Sequence, residues 1–216
     1  MNIFDTFDIV YFIFLSFVFV PIGVAIYRWR YLTTLDKIVF YFLIGYLFLT
    51  IIAAILLFSQ IRNHFLYYFH TILTALFMYF YGVKIHIFKT KKAHTILSFC
   101  CVSIFLGLLL EMGFIGFNQI NTVTLTFSKV VMFVLSILFL KNEVKDYKLD
   151  LLDLNSVICY NIGLFMFSFF SIFTSLFKNY FIETSINLYF FFDTISVLSN
   201  AIAFCFFAFG FGITKN

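Results

Sequence analysis

The amino-acid sequence predicts an all-α membrane protein, a bundle of seven transmembrane helices, and three observations lead to that prediction. Hydrophobic residues make up 63% of the 216 residues and charged residues only 11%, whereas soluble domains carry about 25% charged residues. Apolar runs of about 20 residues, the length that crosses a bilayer, recur seven times. Lysine and arginine are shared unequally between the two sets of connecting segments. These features exclude a water-soluble core.

The predicted spans follow one another with only short polar connections between them, so the chain is a single polytopic membrane domain, residues 1–216. Their approximate bounds are residues 9–27, 39–58, 65–83, 95–116, 122–140, 157–177 and 188–213. The first run is preceded by the acidic residues Asp5 and Asp8 rather than by basic ones. It is also longer than the apolar region of a signal peptide, so we expect it to remain as the first span.

Basic residues near the span ends predict the orientation, because cytoplasmic connections are enriched in lysine and arginine. One side carries eleven of them: Arg28, Arg30, Lys37, Lys84, Lys89, Lys91, Lys92, Lys141, Lys145, Lys148 and Lys215. The other side carries Arg62 and Lys178, and Lys129 lies within a span. The N-terminus is therefore expected outside and the C-terminus in the cytoplasm, in a plasma (inner) membrane. The longest predicted loop, residues 141–156, is cytoplasmic, and is either a plain connection or a surface for a partner.

Several function classes find no support in the sequence. No basic patch is interleaved with exposed aromatic residues, so nucleic-acid binding is not predicted. All four cysteines lie in apolar runs and His70 is the only embedded histidine, so we predict neither a metal site nor a cofactor. The seventh span contains no lysine for a retinal Schiff base, and Pro21 is the only proline, so broken transporter helices are not indicated.

The candidate site consists of the ionisable residues inside the predicted spans, because such residues are costly in hydrocarbon and usually face the bundle interior. Each lies on a polar stripe at helical spacing. At 1.5 Å rise per residue, the four ionisable residues lie roughly 8–10 Å below the outer ends of their helices, in one layer. The candidate ligand-binding residues, four ionisable and three polar, are His70, Glu111, Lys129 and Asp193 with Tyr67, Thr126 and Asn200.

This layer has more than one interpretation. A structural network would pair Lys129 with Glu111 or Asp193 and fix the helix packing. A binding pocket would instead admit a small polar or amphipathic ligand from the periplasmic side or the outer leaflet. A proton or ion pathway is a third possibility. Glu111 and Asp193 would form an acid–base pair in a membrane-embedded enzyme, although carboxylates beside a lysine also occur in structural networks, and no catalytic residue is assigned.

Three segments carry a resemblance to known proteins: NHFLYYFH (Asn63–His70), the stretch Phe117–Phe139, and CYNIGLFMFSFF (Cys159–Phe170) with its Asn-x-Gly pattern. They resemble a large family of uncharacterised seven-helix inner-membrane proteins of Bacteroidota, often encoded near sensor histidine kinases. The resemblance extends loosely from Asn63 to Gly212. It implies a sensory or signalling-accessory role and a cytoplasmic or membrane signalling protein as partner.

The sequence thus favours a seven-helix protein that senses a ligand in an outer-half pocket. Residues 84–94 and 141–156 would pass its state to a cytoplasmic partner. The alternatives are a structural or assembly subunit of a membrane complex, and a membrane-embedded lipid-processing enzyme or carrier. A receptor should contain a polar void, whereas an assembly subunit should have a filled interior and a fixed partner.

Overall fold

Helices account for nearly all of the described chain. The computed structural model describes residues 16–59, 64–85, 91–114, 116, 120–146 and 155–214. Within these ranges there are seven α-helices, one short 3₁₀ turn (Trp29–Tyr31) and no strand. The α-helices are α1 (Phe19–Tyr27), α2 (Thr34–Phe58), α3 (Leu66–Lys84), α4 (Lys91–Phe114), α5 (Thr122–Asp146), α6 (Ser156–Thr184) and α7 (Ile186–Ile213).

Six of these helices, α2 to α7, are long and apolar enough to cross a membrane, which confirms the prediction of a multi-pass helical membrane protein for those spans. Large hydrophobic side chains also remain exposed, among them Phe48, Phe99 and Leu109. Side chains of this kind suit a surface in contact with lipid. Of the predicted first span, α1 is the described part, and residues 9–15 lie outside the described residues.

The predicted helix boundaries need correction at their polar ends. Residues 141–156 were expected to form a loop, but α5 continues through Asp146. Likewise α4 already begins at Lys91, within the expected loop of residues 84–94, and α6 continues to Thr184. The reason is that an apolar run marks only the part of a helix in hydrocarbon. Residues 141–146 include lysine, glutamate and valine, which are compatible with a helix, so α5 continues through them without a break.

The helices form a ring in which α1 packs against both α2 and α7, and the remaining neighbours follow in chain order. α3 and α5 are also in contact, on the inner side of α4. The antiparallel pair α6 and α7 is joined by Ser185, whose hydroxyl accepts a hydrogen bond from the Leu188 amide and so caps α7. We call the end at which α2, α4 and α6 finish and α3, α5 and α7 begin the upper end, and the opposite end the lower end.

Glycines permit the close approach of α6 and α7. A Cβ atom on Gly163 would lie 2.6 Å from Cε1 of Phe207, and a Cβ atom on Gly210 would overlap the Tyr160 ring. Since neither position has room for a methyl group, the two helices can pack at this distance only with glycine there.

A polar cluster at the lower end closes the ring, and we call Arg28, Asp36 and Tyr160 the lower clasp. The carboxylate of Asp36, fully buried, accepts hydrogen bonds from the Tyr160 hydroxyl (2.7 Å) and from the Thr33 amide (2.7 Å) and hydroxyl (2.8 Å). Thr33 and Asp36 thereby form a capping box at the start of α2. The Arg28 guanidinium donates to the carbonyls of Gly212 and Thr214, at the end of α7. The clasp therefore joins α1 to α7 and α2 to α6.

Candidate functional site: a polar cavity in the upper half

A partly open cavity of about 160 Å³ lies between α2, α3, α5, α6 and α7. At 1.5 Å rise per residue, Lys129 and Asp193 lie about 10 Å from the upper ends of their helices, and Asn200 about 21 Å. The cavity therefore extends from near the upper end to about the middle of the bundle. Its polar lining consists of Tyr46, Thr50, Tyr67, His70, Lys129, Ser171, Thr174, Ser175, Lys178, Asp193, Ser196 and Asn200.

Five of the seven candidate residues line this cavity: Tyr67, His70, Lys129, Asp193 and Asn200. They come from three helices, and helical spacing within each stripe places them on inward faces. Their role in binding a ligand remains a prediction.

Lys129 has an unusual environment for a membrane-embedded cation. Its side chain is only 8% exposed, and its ammonium lies 3.9 Å from the centroid of the Phe167 ring. Such a cation–π contact favours the charge only modestly. Among the described residues, no acceptor receives a hydrogen bond from this ammonium, which lies against an aromatic face rather than a carboxylate. Lys129 thus brings three N–H donors to the cavity.

Lys178 belongs to the cavity, although the sequence analysis placed it in an outer connection. That placement was wrong, because α6 continues past it to Thr184 and the side chain is only 6% exposed. Its ammonium donates to the Tyr67 hydroxyl at 2.5 Å and lies 5.3 Å from the Tyr189 ring centroid. The sequence did carry a signal, since Lys178 lies three residues after Ser175 on the polar stripe of the sixth span.

Acceptor groups also face the cavity. Asp193 lies close enough to Lys178 for the two charges to interact. Asn200 donates a long hydrogen bond of 3.5 Å to the Tyr46 hydroxyl, while its Oδ1 is buried and accepts no hydrogen bond within the described part of the chain. The His70 ring meets the Tyr46 ring edge-on at 5.3 Å. An unpaired buried acceptor such as the Asn200 oxygen is costly unless water or a ligand donates to it.

Glu111 is held away from the cavity lining. Its carboxylate accepts hydrogen bonds from the amides of Val123 (3.1 Å) and Thr124 (3.3 Å) and from the Thr124 hydroxyl. These are the first amides of α5, which have no partner inside their own helix. A negative charge beside a helix N-terminus is also electrostatically favourable. Glu111 therefore caps α5 from α4.

Thr126 also lies outside the lining. Its hydroxyl donates to the Ser175 hydroxyl at 3.1 Å and joins α5 to α6. The two candidates outside the lining, Glu111 and Thr126, thus have hydrogen-bond partners of their own, whereas the Lys129 ammonium and the Asn200 oxygen have none within the described ranges.

Charge defines what the cavity can bind. At the ordinary ionisation of free side chains, Lys129 and Lys178 would carry two positive charges and Asp193 one negative charge, so the lining has a formal charge of +1 with His70 neutral. Within the described residues, no three histidine, cysteine, aspartate or glutamate side chains come together in a way that could hold a metal ion.

Comparison with known proteins found no matching family model, no matching curated protein and no matching solved structure.

Proposed function

We propose that this chain is a seven-helix receptor of the plasma (inner) membrane that binds a small ligand in the upper cavity and signals through its lower end. One observation carries the proposal: Lys129 and Asn200 line a void at membrane depth, and neither the Lys129 ammonium nor the buried Asn200 oxygen has a hydrogen-bond partner among the described residues. Bare polar groups in hydrocarbon are costly and usually mark functional sites. A ligand would supply what they lack.

This proposal places the upper end outside the cell and counts α1 as part of the first of seven spans. The burial of Lys178 strengthens the charge argument, because Arg62 is then the only basic residue assigned to the outer side against eleven assigned to the cytoplasm. A ligand would therefore enter from outside.

The sensory role rests on the resemblance of residues 63–212 to inner-membrane proteins encoded near histidine kinases. Residues 84–94 and 141–156 would contact the cytoplasmic or membrane signalling partner. The void argues against the alternative of a purely structural or assembly subunit, for which we expected a filled interior. The alternative of a lipid-processing enzyme required Glu111 and Asp193 to act as an acid–base pair. Glu111 instead accepts hydrogen bonds from the first amides of α5, which argues against that pair.

Cysteine labelling tests both the pocket and its orientation. Ser196 lines the cavity, while Ser136 is buried below it and serves as the matched control. Each would be changed to cysteine in a chain whose native cysteines are replaced by alanine: Cys100, Cys101, Cys159 and Cys205. We expect a small membrane-impermeant thiosulfonate, added outside intact cells, to modify Ser196→Cys and to leave Ser136→Cys unmodified.

Two results would contradict the proposal. Labelling of Ser196→Cys only from the cytoplasmic side of inverted vesicles would reverse the orientation. Labelling from neither side would show that the cavity is not accessible, which contradicts the proposed pocket. The signalling step is tested separately by hydrogen exchange of residues 141–156. An added small-molecule fraction of the cell envelope should change that exchange in the native chain, and an assembly subunit predicts no change.

A further inference from the structure

We infer that the ligand of the upper cavity is a small organic monoanion, a monocarboxylate that also carries a hydroxyl hydrogen-bond donor. This inference rests on the proposed function and specifies its ligand class. It follows from three properties of the cavity: its excess charge, its unpaired acceptor and its size.

The excess charge selects an anion. Asp193 is within interaction range of Lys178, which also holds the Tyr67 hydroxyl. Lys129 is left with an aromatic ring and no acceptor in the described chain. A carboxylate beside Lys129 would receive charge-assisted hydrogen bonds and would bring the net charge of the filled site to zero. A zwitterion would leave one positive charge uncompensated at membrane depth, which is unfavourable.

The unpaired acceptor selects a donor on the same molecule. Asn200 Oδ1 is buried and accepts no hydrogen bond from the described residues, while the Asn200 amide nitrogen is already used toward Tyr46. Asn200 lies seven residues after Asp193 on α7, about 10 Å deeper in the bundle. Because this oxygen is closed to the empty cavity, the Asn200 amide would turn toward the ligand, and a hydroxyl on the deeper side of the ligand would then satisfy it.

The size limits the ligand to a few heavy atoms. The cavity measures about 160 Å³, close to a cavity of about 150 Å³ that holds benzene. Lactate has the same number of heavy atoms as benzene and combines a carboxylate with a hydroxyl. A hydroxylated fatty acid has the same head chemistry, and its chain would leave through the opening of the cavity.

Ligand analogues test the inference on the full chain in lipid nanodiscs, with thermal unfolding as the measurement. Lactate should raise Tm in proportion to the logarithm of its concentration above Kd. Propionate, which lacks the hydroxyl, should bind about 2–10-fold more weakly. Lactamide, which lacks the charge, should bind about 10–100-fold more weakly. Alanine, of similar size but zwitterionic, should bind more weakly than lactate.

Two variants should each remove one of these distinctions. Lys129→Met should make lactate and lactamide equally weak. Asn200→Leu should make lactate and propionate equal, while lactate still exceeds lactamide. Ser136→Ala, a change below the cavity, should keep both distinctions. Because each variant is read as a ratio of two ligands on one protein, and the analogue series itself needs no variant, poor folding of one variant leaves the test intact.

The outcomes are decisive for the inference. It is overturned if lactamide or alanine binds as tightly as lactate, or if no compound of the series raises Tm. It is upheld if 3-hydroxydecanoate binds more tightly than lactate and is lost with Lys129→Met, and the ligand is then a hydroxylated acyl chain rather than a free acid. If Ser196→Cys is labelled from outside but the protein binds none of the compounds, the ligand class is wrong and the proposed pocket still stands. If Ser196→Cys is not labelled and no compound binds, both the ligand class and the pocket are wrong.

Discussion

Replacing Tyr160 with phenylalanine removes one hydroxyl from the lower clasp and should destabilise the protein by about 1–2 kcal/mol. The hydroxyl donates to Asp36 Oδ1 at 2.7 Å, and both side chains are completely buried. It joins α2 to α6 across the ring, so its loss weakens the contact between the first and last parts of the bundle.

The magnitude follows from the partners that remain. A hydrogen bond to a charged group contributes about 1.5–3 kcal/mol in soluble proteins, whereas polar contacts between membrane helices average about 0.6 and reach about 1.7 kcal/mol. Asp36 keeps the amide and hydroxyl of Thr33 as donors after the substitution. This partial satisfaction places the loss near the overlap of the two ranges. For a chain of this size, each kcal/mol lowers Tm by about 2–4 °C.

Intrinsic fluorescence provides the assay, because Trp29 is the only tryptophan and lies at the lower end, with its ring 5.2 Å from that of Phe40. Tyr79→Phe is the matched control, since Tyr79 is 39% exposed and its hydroxyl has no hydrogen bond within the described residues. We expect Tm to fall for Tyr160→Phe and to stay unchanged for the control. Equal Tm values would refute the reasoning, because the clasp would then contribute no stability.

Three further substitutions test other contacts by thermal unfolding. Gly210→Ala should lower the free energy of unfolding by about 1–3 kcal/mol, because the new methyl group overlaps the Tyr160 ring. Gly23→Ala is the control, since the space around Gly23 is open, and it should change stability little. Equal losses of stability would contradict the packing argument. Glu111→Gln should lower the free energy of unfolding by about 1–2 kcal/mol, because it weakens the cap of α5. Ligand binding at the cavity should stay unchanged. A loss of binding would show that Glu111 belongs to the binding site. Lys129→Met should keep or raise the stability of the ligand-free protein, by up to about 1 kcal/mol, and a clear loss would show that the ammonium has a partner.

The spans could be predicted from the sequence because hydrocarbon imposes one simple requirement, a run of apolar residues long enough to cross it. The helix ends could not. Lys178 and the segment 141–146 are polar, and polarity alone does not distinguish a loop from the wet end of a helix or from a cavity wall. α6 continues beyond its predicted end at Phe177, and that continuation is what makes Lys178 an interior residue.

The candidate site was predictable as a set of inward faces but not as a set of partners. Glu111 and Lys129 look alike in the sequence, each a single charge on a polar stripe. Only the packing of α4 on α5 shows that Glu111 meets the α5 amides, because that contact depends on how two helices are placed in space. Asn161 and Gly163, the Asn-x-Gly residues on which the sequence-based expectation of a family partly rested, have packing roles. Asn161 donates to the Tyr81 hydroxyl at 2.8 Å, and Gly163 admits the Phe207 ring.

The buried charges among the described residues differ in how their hydrogen-bonding groups are satisfied, and the difference favours the proposed site. Asp36 and Glu111 are each surrounded by hydrogen-bond donors, and Lys178 holds the Tyr67 hydroxyl. Each therefore meets the requirement that a charge removed from water must find a partner. Lys129 also lines the cavity, but its ammonium lies on an aromatic ring and has no hydrogen-bond acceptor among the described residues. A methionine at that position would give the same packing without the cost of a bare ammonium, so a purely structural bundle has no physical reason to keep a lysine there. A cavity that binds an anion does.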